Sequence, residues 1–113
     1  MVALLSCDTY SEQMEDLILG GLEMFRMDVR GKSVLLKPNL VEDLPGPVNT
    51  NPVLIGAAAR SFLRLGASRV VIGEAPDISA TRSWSHAADL DQILRDTRIA
   101  FVDLNRDELR KVV

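Results

Sequence analysis

From Val34 to Asp77 the residues fall into an order that few folds accommodate. Val34-Leu35-Leu36 is an apolar run closed by Lys37-Pro38-Asn39. A polar loop comes next, and Thr50-Asn51-Pro52 opens a stretch of helical periodicity. Val70-Val71-Ile72 is a second apolar run, closed by Gly73-Glu74-Ala75-Pro76-Asp77. Strand, loop, helix, strand and loop make a β-α-β unit, in which parallel strands bring both polar loops to one end of a sheet. Continuous apolar runs, rather than alternating ones, suit strands covered on both faces. The order therefore says where polar residues gather before it says what they do.

The rest of the chain extends this unit. Val2 to Ser6 is apolar, ends at Cys7-Asp8 and reads as a first strand. Thr9-Tyr10-Ser11-Glu12 fits a capping box, with Thr9 as cap and Glu12 reaching back to it. The helix behind it places Met14, Leu17, Ile18, Leu22 and Phe25 near one face, and Gly20-Gly21 reads as close packing of that helix against a sheet. Arg30-Gly31-Lys32 makes a turn, Ser33 to Lys37 is the second strand, and Pro38 stops its ladder for want of a donor. Asn51 and Pro52 are the N-cap and first position of the next helix. Leu54, Ile55, Ala58, Ala59, Phe62 and Leu65 form its buried stripe, and Gly66 its left-handed C-terminal cap. Helical spacing returns from about Trp84 to Arg95, Ile99-Ala100-Phe101-Val102 is a fourth strand, and the charged residues from Asp103 onward are a further helix or a tail.

Strands alternating with helices predict an α/β fold over residues 1–113 as a single domain. It is a Rossmann-like or flavodoxin-like three-layer sandwich with a mostly parallel sheet of about four strands and right-handed crossovers. So small a sheet leaves apolar surface uncovered, which predicts a homo-oligomer or a missing partner segment. A chain of 113 residues holds one domain, and 47% hydrophobic with 26% charged residues is the balance of a globular protein rather than a disordered one. A net charge of −3 argues against a nucleic-acid surface. No apolar run approaches the ~20 residues a membrane span needs, and the amino terminus lacks the basic region of a signal peptide. One cysteine closes no internal disulfide and builds no cysteine-ligated metal cluster, which points to the cytoplasm.

In open α/β sheets ligands bind beyond the carboxyl ends of the strands. Those ends collect Cys7-Asp8, Lys37-Pro38-Asn39, Glu74-Ala75-Pro76-Asp77 and Asp103-Leu104-Asn105. The start of the Pro52 helix arrives at the same edge, where free backbone N–H groups and the helix dipole favour an anion. Lys37 adds a full positive charge, Asn39 donates and accepts, and Glu74 or Asp77 supplies a counter-charge or a metal ligand. The candidate site is therefore Lys37, Asn39, Thr50, Asn51, Glu74 and Asp77, and its ligand an anionic small molecule. A helix cap and a salt bridge account for the same residues in a ligand-free scaffold, which stays open as the alternative. A third reading is a metal-dependent enzyme fragment using Glu74 and Asp77 and completed by a partner subunit. Glu42 and Asp43 add oxygens for Mg²⁺ or Ca²⁺ but show no fixed ligand spacing. His86 reads as a surface or capping residue, and Cys7 as a buried inert thiol unless its pKa is lowered. There is no G-x-G-x-x-G, Walker, G-x-S-x-G or H-E-x-x-H pattern, which disfavours ordinary dinucleotide and P-loop binding.

Three stretches are similar to a known family: Val34-Leu35-Leu36-Lys37-Pro38-Asn39-Leu40-Val41, Thr50-Asn51-Pro52, and Gly66-Ala67-Ser68-Arg69-Val70-Val71-Ile72-Gly73-Glu74-Ala75-Pro76. They resemble the family catalogued as domain of unknown function 362, from Val2 to about Leu104, with Lys-Pro-Asn the most specific part. The resemblance implies a cytoplasmic prokaryotic α/β protein of unassigned activity. Some relatives carry a ferredoxin-like segment with several cysteines. This chain lacks it, so no iron–sulfur cluster is expected here, and any other cofactor stays unassigned. Where the family shows Thr-His-Pro, this chain has Thr50-Asn51-Pro52, so a role for that histidine is not carried over. Family domains are longer, which implies that the chain corresponds to their amino-terminal part, as a compact variant or a truncated one.

Overall fold

The computed structural model describes residues 1–40, 49–75 and 88–112. Among them the order is α1 (Gln13–Met24), β1 (Ser33–Leu36), α2 (Pro52–Arg64), β2 (Arg69–Glu74), α3 (Ala88–Ile93) and β3 (Ile99–Asp103), closed by a single 3₁₀ turn (Leu104–Arg106). The strands form one sheet in the order β1-β2-β3, parallel throughout. Val34 lies level with Val70 and Val70 with Ile99; Leu36 lies level with Ile72 and Ile72 with Phe101.

Right-handed crossovers that step the same way across a sheet place their helices on one face. The core agrees. Val70, Ile72 and Ile99, flanked by Val34, Leu36 and Phe101, pack with Ile55, Ala59 and Leu63 of α2 and Ile93 of α3. The other face presents Leu35, Val71, Ala100 and Val102. Leu35 is 61% exposed on it.

α2 is the hub, and its sequence explains its ends. Asn51 Oδ1 accepts the Val53 amide at 2.9 Å, and Pro52 sits where no amide is needed. At the other end Gly66 takes a φ of 101°, and the Ala67 amide returns to the Phe62 carbonyl at 3.1 Å. The buried positions of α2 are Ile55, Gly56, Ala57, Ala59, Ser61 and Leu63, while Leu54, Ala58, Phe62 and Leu65 of the expected stripe are only half-buried. The stripe is wider than a sheet-facing one because α1 and α3 also pack on α2.

α1 is bonded to α2 through several polar groups. The Ser61 hydroxyl lies 3.0 Å from the Glu15 carbonyl oxygen and 2.8 Å from that of Ala57. Arg60 pairs with Glu15 at 2.6 Å, and Arg64 with Asp16 at 2.7 Å.

Three sequence expectations need correction. The sheet has three described strands, not four. Residues 2–6 form no strand, and Val2 and Leu4 are 93% and 96% exposed. A short apolar run becomes a strand only beside a ladder partner, and this one has none among the described residues. Thr9 is not a helix cap: α1 starts at Gln13 behind Glu12, with no side-chain cap bond. Gly21 makes room for Leu5 rather than a sheet, since an added Cβ would stand 2.7 Å from Leu5 Cδ1; Gly20 faces open space.

Candidate functional site at the carboxyl edge of the sheet

β1 and β2 end side by side, and the residues just past their last ladder pair meet. Lys37 Nζ lies 2.7 Å from each carboxylate oxygen of Glu74. The Glu74 side chain is almost wholly buried, at 7% exposed, whereas that of Lys37 is 56% exposed. Glu74 also accepts the Ala75 amide at 2.8 Å and the Leu40 amide at 3.4 Å. Burial pushes this carboxyl up, but hydrogen bonds from Lys37 and Ala75, the Lys37 charge and the Leu40 amide outweigh it, so the net direction is down.

Past Pro38 the strand exit is fastened to the helix entry. The Asn39 amide donates to Thr50 Oγ1 and the Thr50 amide to the Asn39 carbonyl, both at 2.8 Å. Asn51 comes directly after as the cap of α2. Five of the six expected residues thus form a connected set: Glu74 holds Lys37 and Leu40, Asn39 clamps Thr50, and Asn51 starts the helix. Asp77 lies outside the described residues, as do Glu42, Asp43 and His86. Thr50 and the Asn51 oxygen serve the backbone, while Lys37 and Asn39 are exposed.

Two further features, the burial of Leu40 and the pairing of Asp103 with Glu74, go beyond the sequence reading, which places Asp103 at the edge but not opposite Glu74. Leu40 is a core residue, 3% exposed, which anchors the loop after β1. Asp103 stands opposite Glu74 in the parallel register, and its carboxylate accepts the Asn105 amide at 2.9 Å. The signal was present in Ile-Gly-Glu and Phe-Val-Asp, two strands each ending on an acid, but only a register aligns them.

Glu74 already receives Lys37 and two backbone amides, so a cation coordinated there would first have to displace Lys37. Among the described residues no three His, Cys, Asp or Glu side chains form a group able to hold a metal ion. Cys7, expected to be buried, is exposed and lies 3.0 Å from the Thr9 carbonyl oxygen. No helix among the described residues is long and apolar enough to cross a membrane.

A family model described as Domain of unknown function (DUF362) matches residues 34–113. The match starts at β1, so it contains the whole candidate site and leaves α1 outside. No curated protein and no solved structure matches the chain.

Proposed function

Since the chain belongs to the family described as Domain of unknown function (DUF362), we propose that the carboxyl edge it shares with that match binds an anionic small molecule. The observation that carries this reading is Lys37, whose side chain is over half exposed while its ammonium is held through both oxygens of a buried carboxylate. Glu74 fixes the lysine at the strand end, which lowers the entropy cost of presenting its charge. The start of α2, tied to the same strand exit through Asn39 and Thr50, adds roughly half a positive charge. Phosphate or carboxylate is the ligand class such an arrangement recognises. Asn39 is the proposed hydrogen-bonding group, and Asp77, outside the described residues, the proposed counter-charge.

The test is a thermal-shift screen against phosphate, nucleotides, carboxylic acids and divalent metals. Lys37→Ala alone would leave the Glu74 charge buried and unpaired, so the comparison protein is Lys37→Ala/Glu74→Gln. A ligand at 100 times its Kd stabilises by about 2.7 kcal/mol, several degrees in Tm for a domain of this size. The expected result is a shift with an anion in the native protein and none in the double variant. An anion response that survives the double variant would place binding elsewhere.

The rival scaffold reading has its own support, because Thr50, Asn51 and Glu74 all make structural bonds; a flat screen would favour it. A response to divalent metals alone would favour the metal-dependent fragment. We also propose that the protein works in the cytoplasm, where an exposed thiol such as Cys7 stays reduced. A second copy of the chain would cover the open face of the sheet.

A further inference from the structure

We infer that α1, with the segment leading into it, is a strap that opens from α2 as a unit of its own while the sheet and its helices stay folded. Three observations meet on this. First, the buried core cluster of the described residues joins the sheet to α2 and α3 and includes no residue before β1. Second, α1 is tied to α2 by charged pairs and a backbone carbonyl, and its apolar residues Leu17, Ile18 and Leu22 are only half-buried. Only Met14 and Gly21 of its twelve residues are buried. Third, Leu5 folds back against Gly21, so the lead-in travels with the helix it precedes.

The clasp is a small ionic network. Glu15 receives Arg60 at 2.6 Å and Arg64 at 3.2 Å, and Arg64 also reaches Asp16 at 2.7 Å. Arg60 and Arg64 are close to half exposed, and Asp16 is 80% exposed, so dissolved salt screens the attachment directly. The core behind α2 is apolar and does not weaken with salt in this way.

Opening has a consequence for access. Glu12, just before α1, and Glu15 within it line a cleft of about 400 Å³ together with Pro52 and Gly56 of α2 and Gln92 and Ile93 of α3. The cleft begins at the first turn of α2, the turn that Asn51 caps. When the strap lifts, the cleft loses that part of its lining while the cap and the Lys37–Glu74 pair stay in place.

Hydrogen exchange on the full chain, read by mass spectrometry, tests this. Peptides covering α1 are compared with those covering β2 at low salt and at about 1 M, where the screening length falls to ~3 Å. Glu15→Gln, which keeps the backbone carbonyl that meets Ser61, is measured at low salt. The expected result is that α1 exchange quickens about fivefold relative to β2 both at high salt and in Glu15→Gln, the change that losing about 1 kcal/mol of attachment gives. Equal acceleration of α1 and β2 would show one cooperative unit and overturn the strap. Exchange unchanged in both would show that the ion pairs do not hold α1, and would overturn it equally.

Discussion

Glu74 is the residue on which the edge depends, and its charge sets a pH dependence. Its carboxyl titrates below the ordinary 4.5, so the folded state prefers it ionised. Such a group adds stability that is complete above the unfolded value and is lost as the pH falls through the lowered folded one. Asp96, drawn down to about 2 by the side-chain and backbone hydrogen bonds of Arg98, adds a loss that begins below its ordinary 3.8. Stability measured by denaturant is therefore expected to fall below about pH 4.5 in the native protein. In Glu74→Gln the upper part of that fall disappears, leaving lower stability at neutral pH because Lys37 no longer meets a carboxylate. A pH profile identical to that of the native protein would show that Glu74 does not carry the effect. At this scale the sequence was informative about identity and silent about environment. Lys37 and Glu74 each close an apolar run, which placed both at the edge. That Glu74 is buried comes from Leu40 and Ala75 closing over it, contacts across 34 residues and one, and the first of these has no local signature.

Among the elements, α2 shows what short-range chemistry determines. Asn51 before Pro52 and Gly66 after the last turn were readable as helix ends, because a cap is an interaction between residues two or three apart. Asn51→Ala is expected to cost about 1 kcal/mol, near 5 °C in Tm. Thr9→Ala is expected to leave Tm unchanged, although Thr9 fits the capping pattern as well on paper, since α1 begins four residues later without a side-chain cap. A large loss from Thr9→Ala, or none from Asn51→Ala, would contradict the two assignments. The failed reading of residues 2–6 has the same root as the success. An apolar run alone does not determine strand, helix or coil, and no strand among the described residues lies beside this one to take it up. The width of the α2 stripe was out of reach for a similar reason. Ser61 is buried and bonded to Glu15 of α1, a partner that periodicity within α2 cannot report.

At the scale of the whole molecule the α/β class and the parallel sheet were legible, since alternation of strand and helix leaves few other arrangements. Both features bear on the fate of the second sheet face. Val34-Leu35-Leu36, Val70-Val71-Ile72 and Ala100-Phe101-Val102 are apolar on both sides, the pattern of strands buried twice. One side meets α2 and α3; on the other Leu35 stands 61% exposed beside the half-buried Val71, Ala100 and Val102. Part of that side is already occupied, because an added Cβ on Gly73 would meet Leu35 at 2.9 Å and Leu104 at 3.4 Å. An exposed leucine on such a face costs little to replace within one chain, about 0.5 kcal/mol or less. It costs more where the face is covered by a second copy, because a lysine there would bury its charge. Sedimentation equilibrium is therefore expected to find the native protein heavier than one chain. Leu35→Lys is expected to return it to the mass of one chain with the intrinsic fluorescence and circular dichroism of the native fold. A native protein that sediments as a single chain at high concentration would rule out self-association and leave the face to a different cover. A Leu35→Lys variant that fails to fold would mean that Leu35 supports the sheet from within.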